Sequence, residues 1–259
     1  MNNKTQLKRA SNCGVIFYSF GDLASQFVWT FIGSYLTVFY TDIVGLAPAA
    51  AAAIMMIARV WDAVNDPMMG AIAERTRSKF GRFRPYILFG SPLLAIFSVL
   101  CFTHPFAGSS KAGVIYAAVT YIITGMLYTL VNIPYGALAA VMTEDAEQRN
   151  KINASRNVGM NVGILIVNEI TANVMLFFSG KGAEVANGNG YFMTALVYAI
   201  ISIPCFLAVF FTSKEQVVPE VTKEKFSLKT TITGLVTNKN LMILLVIMIL
   251  QMAAWMGRI

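Results

Sequence analysis

Charge is what this sequence has least of. Only 13% of its 259 residues are Asp, Glu, Lys or Arg, where a soluble domain carries about 25%. The shortfall excludes an ordinary water-soluble globule, and 56% hydrophobic residues with a mean hydropathy of +0.62 point to an integral membrane protein. A single histidine, His104, near the end of an apolar run, leaves no His cluster for metal binding or acid–base work. The three cysteines, Cys13, Cys101 and Cys205, have no metal-ligand spacing and lie in or beside separate apolar segments, so a disulfide framework is not expected. The first apolar run is too long for a cleavable signal peptide and lacks a small-residue cleavage pattern. The basic residues behind the formal charge of +7 cluster mainly in the connections, a topology signal rather than a nucleic-acid one.

Apolar runs of spanning length need about 20 residues. They fall at 14–40, 47–72, 86–105, 113–141, 157–179, 190–212 and 239–257, six complete spans and a seventh that reaches the last residue. Lys4, Lys8 and Arg9 precede the first span, and Arg75, Arg77, Lys79, Arg82 and Arg84 fill the second connection. Arg149, Lys151 and Arg156 mark the fourth, and Lys214, Lys223, Lys225, Lys229 and Lys239 the sixth. The odd connections hold only Lys111 and Lys181. This alternation places the N-terminus and all even connections in the cytoplasm of a multi-pass protein of the cell inner membrane. The expected organisation is an all-α six-helix transmembrane bundle over 1–212, a polar linker over 213–238, and the start of a further half over 239–259. A seventh span with nothing after it reads as a fragment of a longer chain.

The polar residues inside the spans carry the functional signal. Charges at membrane depth cost roughly 3 kcal/mol each even on lenient scales, so they are usually kept for function. Arg59, Asp62, Asn65 and Asp66 lie in the second span, immediately before Pro67. Asp62 and Asp66 are four residues apart and share a helix face. Pro67 cannot donate to the Ala63 carbonyl, which frees one more oxygen beside them. Such a cluster suits a hard monovalent cation or an exchangeable proton. Asp22 in the first span, Tyr128, Thr129, Asn132 and Pro134 in the fourth, and Arg156, Asn157, Asn161, Asn168 and Glu169 in the fifth extend the polar set. Spans 1, 2, 4 and 5 should therefore share one polar interior, with spans 3 and 6 peripheral. Each group also has a bland reading: an Arg59 ion pair for the aspartates, an interhelical hydrogen bond for Asp22, an edge charge for Arg156, and plain packing for Trp29 and Tyr128.

Four stretches, in order, resemble the glycoside–pentoside–hexuronide:cation symporters of the major facilitator superfamily, of which the melibiose permease is the best-known member. They are Gly21-Asp22 with Tyr40-Thr41-Asp42; Arg59 to Gly70; Arg75 to Pro85; and Tyr128 to Tyr135. The resemblance covers essentially the whole chain but only the first half of a twelve-span member. It implies the N-terminal six-helix bundle of a major-facilitator fold plus the start of a seventh transmembrane helix. It further implies a cation site of Asp62, Asp66, Asn65 and Thr129, with Na⁺, Li⁺ or H⁺ as coupling ion and no other cofactor. Asp22, Asn132, Arg156, Tyr128 and Trp29 are the candidate sugar contacts. In the melibiose permease an aspartate aligns with Leu23 and another with Asn132, so both departures point to a sugar other than an α-galactoside. The expected partners are a sugar or glycoside, the cation, the lipid bilayer and a C-terminal half, and not nucleic acid. A transporter of another solute such as a lipid or peptide, and a non-transporting sugar sensor, are the alternatives. An intramembrane di-aspartyl hydrolase would pair acids from separate helices, which two acids on one helix do not provide.

Overall fold

A computed structural model describes residues 8–108, 110–217, 237–239, 242, 243, 246 and 247. The chain divides into two units, Met1–Pro219 and Glu220–Ile259. In the second, the Met242 N–H donates to the Asn238 carbonyl, a helical spacing. Most of the seventh span expected at 239–257 lies outside the described residues.

The first unit is a bundle of helices: α1 (Asn12–Phe17), α2 (Ser19–Val38), α3 (Pro48–Arg75), α4 (Arg84–Leu100), α5 (Lys111–Val141), α6 (Ala146–Ser179) and α7 (Gly188–Thr212). A π-helical turn, Phe39–Ile43, extends α2, so the first span runs from Asn12 to Ile43. Short polar side chains between the apolar runs start the helices. Ser11, Ser110, Asp145 and Asn187 each accept a hydrogen bond from a first-turn N–H, satisfying a donor the helix cannot. Pro48 and Pro85 occupy the first turns of α3 and α4, where a missing N–H costs nothing.

Two boundaries differ from the sequence expectation. α6 begins at Ala146 rather than near 157, because the Asp145 cap and the Lys151–Glu147 pair (2.8 Å) support a polar helical extension outside the apolar run. α4 ends at Leu100 rather than near 105, where the Thr103 hydroxyl takes the Leu100 carbonyl and Pro105 follows. Among the described residues, four helices are long and apolar enough to cross a membrane: Asn12–Ile43, Lys111–Val141, Ala146–Ser179 and Gly188–Thr212. α3 has the length, at 28 residues, but carries the charged cluster, and α4 is apolar with 17 residues.

The packing has a two-fold logic. α2 packs on α6 and α7 as α5 packs on α3 and α4, and α4 meets α7. Exchanging α2, α3, α4 for α5, α6, α7 reproduces these contacts, as expected of two nested three-helix repeats. Lipid is as apolar as leucine, so helices in a bilayer associate through close packing at small residues rather than through hydrophobic burial. Gly159 and Gly163 of α6 sit against the Ser19 carbonyl and the Gln26 side chain of α2, and a side chain at Gly159 would overlap that carbonyl. Gly90 of α4 lies equally close to Leu130 and Val131 of α5. α3 rests mainly on α5 and leaves Ile57, Val60, Trp61, Val64 and Met68 exposed.

The connections sort to two ends. At one end, the Glu144 N–H donates to the Lys8 carbonyl, Arg9 pairs with Asp145 (2.7 Å), and the Gln216 N–H donates to the Val141 carbonyl. There too, Glu215 binds the α3–α4 loop. At the other end, the Gly108 N–H reaches the Val44 carbonyl and His104 lies beside Gly188. The described parts of the N-terminal tail and of the even connections are thus gathered at one end, in keeping with their alternation in sequence.

Candidate functional site

The α3 carboxylates face α5. Asp66 is exposed on the helix surface, and the Thr129 hydroxyl donates to its Oδ1 at 2.8 Å. Asp62 lies one turn earlier, its Oδ1 3.5 Å from where a Cβ on Gly125 would stand, so the absence of a side chain there lets it approach α5. Arg59 Nη1 is 3.7 Å from Asp62 Oδ2, longer than the 2.7–2.9 Å of a charge-assisted hydrogen bond. The pair is loose, and Arg59 is itself 62% exposed. Asn65 turns inward: it is 1% exposed, and its Nδ2 is buried without a hydrogen-bond partner. Pro67 sits inside α3 and leaves the Ala63 carbonyl without its usual helical donor.

A second polar knot joins α2, α5 and α6. Arg156 donates from Nε to Asp22 Oδ2 (2.8 Å) and from Nη2 to Asp22 Oδ1 (3.3 Å). The Tyr135 hydroxyl, with one hydrogen to donate, lies within reach of both the Tyr18 carbonyl (2.6 Å) and Asp22 Oδ2 (3.0 Å), while the Tyr18 hydroxyl donates to the Tyr135 carbonyl. The two tyrosine rings stack at 4.6 Å, and the Arg156 guanidinium lies 4.8 Å from the Tyr135 ring centre. Tyr135 fits there because Gly21 has no side chain: a Cβ on Gly21 would overlap the ring.

An aromatic platform stands between these groups. Trp29 of α2 stacks on Tyr128 of α5 at 4.4 Å. The Asn132 amide donates to the Tyr128 hydroxyl (3.1 Å). Arg59 lies 5.6 Å from the Trp29 ring centre, so one guanidinium faces both the α3 carboxylate and the platform.

The structure therefore links the expected residues across α2, α3, α5 and α6, and α4 and α7 contribute none of these groups. It brings Thr129 to Asp66, Arg156 to Asp22, and Trp29 and Asn132 to Tyr128. Asn65 is the departure, with its amide nitrogen packed into the protein. Asp22 is 7% exposed and engaged by both Arg156 and Tyr135, so it is foremost the counter-ion of Arg156. Glu169 is exposed on α6 and joins no described ion pair. The sequence offers the Arg59 ion pair with an α3 aspartate but not the contact of Arg59 with Trp29, nor the roles of Tyr18 and Tyr135, although Tyr135 closes the Asn132-Ile133-Pro134-Tyr135 stretch. Among the described residues, no group of three or more His, Cys, Asp or Glu side chains gathers as a metal site. Two carboxylates with hydroxyl and carbonyl oxygens beside them are all oxygen donors, the ligand type that hard cations take.

Comparison with known proteins shows the family. The chain belongs to the MFS/sugar transport protein family, whose model matches residues 17–259, and it is a multi-pass membrane protein. It is 33% identical over 245 residues to the symporter YnaJ of Bacillus subtilis, covering 94% of this chain and 52% of that protein. It is 33% identical over 221 residues to the isoprimeverose transporter of Lactiplantibacillus pentosus (85% of this chain, 46% of that one). It is 37% identical over 217 residues to the putative glycoside/cation symporter YagG of Escherichia coli (84% and 45%). The chain thus spans about half the length of the curated relatives it matches.

Proposed function

We propose that these residues form the N-terminal half of a cation-coupled sugar symporter, moving a glycoside, pentoside or hexuronide by alternating access. The observation that carries this reading is Asp66: a carboxylate partway along α3, exposed on the helix surface and answered among the described residues by one hydroxyl, with a loosely paired Asp62 one turn away. An uncompensated carboxylate within a membrane is costly, and a bound cation relieves the cost. The sugar takes the neighbouring wall, with Trp29 and Tyr128 offering an apolar stacking face, and Asn132 and Arg156 offering donors. Asp62, Asp66 and Thr129 hold the cation, joined by Asn65 through a turn of its amide. Arg59 touches both regions, so binding of the cation at Asp62 bears on the platform beside the sugar. A second half closes over this face, and rocking of the halves carries both solutes across. The relatives' names, an isoprimeverose transporter and a putative glycoside/cation symporter, support the sugar class.

Na⁺ is the favoured ion over H⁺ or Li⁺, because the Thr129 hydroxyl and the Ala63 carbonyl add neutral oxygens that a proton does not need. The basic tail and even connections set the N-terminus on the cytoplasmic side of the cell inner membrane. The test is uptake of a glycoside panel into vesicles containing the complete transporter, under imposed Na⁺ or proton gradients. Gradient-driven accumulation of one or more sugars is expected. Binding without accumulation would favour a sensor, and accumulation of non-sugar solutes alone would overturn the sugar assignment. Sugar binding indifferent to Na⁺ at constant pH, with uptake following a proton gradient, would refute the choice of ion.

A further inference from the structure

Building on the symporter reading, we propose that the transported sugar is uncharged, and that Asp22 sets this preference by neutralising Arg156. The family resemblance leaves neutral glycosides and anionic uronides both open, and the charge arrangement separates them.

Arg156 is the guanidinium best placed to meet a carboxylate-bearing sugar, since arginine binds carboxylates through two parallel N–H bonds. That edge is already taken. Nε and Nη2 are held by the two oxygens of Asp22, and the Tyr135 hydroxyl, shared with the Tyr18 carbonyl, stands 3.0 Å from Asp22 Oδ2. Nη1 makes no hydrogen bond among the described residues and lies 3.8 Å from where a Cβ on Gly136 would stand. What Arg156 can still offer a ligand is its remaining Nη1/Nη2 edge, next to an existing carboxylate. A sugar hydroxyl or ring oxygen accepts a bond from it. A uronate would have to approach Asp22 as well.

The charge count leads to the same conclusion. The linked cluster on α2, α3, α5 and α6 holds the carboxylates of Asp22, Asp62 and Asp66 against the guanidiniums of Arg59 and Arg156. It is one positive charge short of neutral. A monovalent cation makes up the difference, and an uncharged sugar leaves the balance undisturbed. A uronate restores the deficit inside a low-dielectric space, where like charges brought together cost several kcal/mol. Glu169 lies 13 residues beyond Arg156, about 20 Å further along α6. It adds negative charge and cannot favour an anion.

The experiment is competition for sugar binding to the complete transporter in vesicles, at saturating cation. The competitors are matched methyl glycosides, the corresponding uronates, and the uronamides, which keep the shape of the uronate without its charge. Uronates should compete at least about tenfold more weakly than their uronamides, given the cost of a desolvated like charge. Asp22→Asn leaves Arg156 an unpaired cation and should narrow or invert that ratio, while Asp22→Glu should keep it. A role in packing alone would change the affinity for both ligands together and leave the ratio fixed. Uronates competing as well as uronamides with the unaltered protein would overturn the proposal, even if the Asn variant fails to reach the membrane. An unchanged ratio in a well-folded Asp22→Asn protein would equally overturn the role of Asp22. Uptake without charge preference refutes this inference alone, whereas no cation-driven uptake of any sugar refutes the symporter reading beneath it.

Discussion

Glu215 offers the sharpest quantitative test of the fold. It follows α7 by three residues, yet its carboxylate reaches the loop before α4 and accepts the backbone N–H groups of Arg82 (2.8 Å), Phe83 (2.7 Å) and Arg84 (3.3 Å). Arg84 answers by donating to the Phe210 carbonyl near the end of α7 (3.2 and 2.6 Å). Hydrogen bonds to a charged group contribute about 1.5–3 kcal/mol each, but Glu215 is only partly buried and water can replace part of what is lost. We therefore expect Glu215→Ala to weaken the loop's closure by about 3 kcal/mol, roughly a 100-fold rise in its open population. Hydrogen exchange followed by mass spectrometry should show the amides of residues 82–84 exchanging faster by about that factor. Glu215→Gln keeps an acceptor without charge and should give about a tenfold rise, since neutral bonds are roughly half as strong. Gly81→Ala should open the same loop, because Gly81 has φ +108° and a Cβ there would stand 2.6 Å from Glu215 Oε1. Exchange at 82–84 within twofold of the unaltered protein in Glu215→Ala would refute the reasoning.

Three further expectations follow from the site. Asp62→Cys or Asp66→Cys in the complete transporter should abolish gradient-driven sugar accumulation while leaving weakened sugar binding, and normal cation-stimulated uptake in both would remove the cation assignment. Thr129→Val deletes one hydrogen bond to a carboxylate, so half-maximal cation activation should need about tenfold more cation; unchanged activation would place Thr129 outside the site. Gly21→Ala drives a methyl into the Tyr135 ring and should lower stability by about 1–3 kcal/mol in a detergent melting curve. Gly33→Ala on the same helix meets nothing within 4 Å and serves as the control; equal melting of the two would contradict the packing described.

The spans were legible because a bilayer enforces a length and an apolar composition. The limits of α6 and α4 were less so: a capping aspartate and an ion pair prolong one helix past its apolar run, and a threonine hydroxyl with a proline closes the other early. The α3 carboxylates were legible for a similar reason, as charges stand out in an apolar run. The partner of Arg156 was not, because Asp22 lies 134 residues away and one acid in the first span could have served several purposes. Tyr18 and Tyr135 were harder still. Interior tyrosines are common, and nothing local signals that two of them donate to each other's backbone. Glu215 left the least trace, because its partners are main-chain N–H groups, which no side-chain pattern reveals.

The carboxylates of Asp22, Asp62 and Asp66 also differ in how far the protein compensates them, and this orders their proposed roles. Asp22 is held by a bidentate arginine and a tyrosine hydroxyl, and its side chain is 9% exposed. Asp62 has a guanidinium at 3.7 Å and is 22% exposed. Asp66 has one hydroxyl and is exposed. A permanently paired carboxylate has little to gain from a mobile ion, whereas a lightly compensated one lowers its cost in a membrane most by acquiring one. Ion binding should therefore centre on Asp66, draw in Asp62 by loosening the Arg59 contact, and leave Asp22 to hold Arg156. Arg59, once displaced from Asp62, keeps its contact with Trp29 at the platform. On the proposed symporter reading, a cation would thus reach the sugar wall through one side chain, without requiring the two solutes to touch.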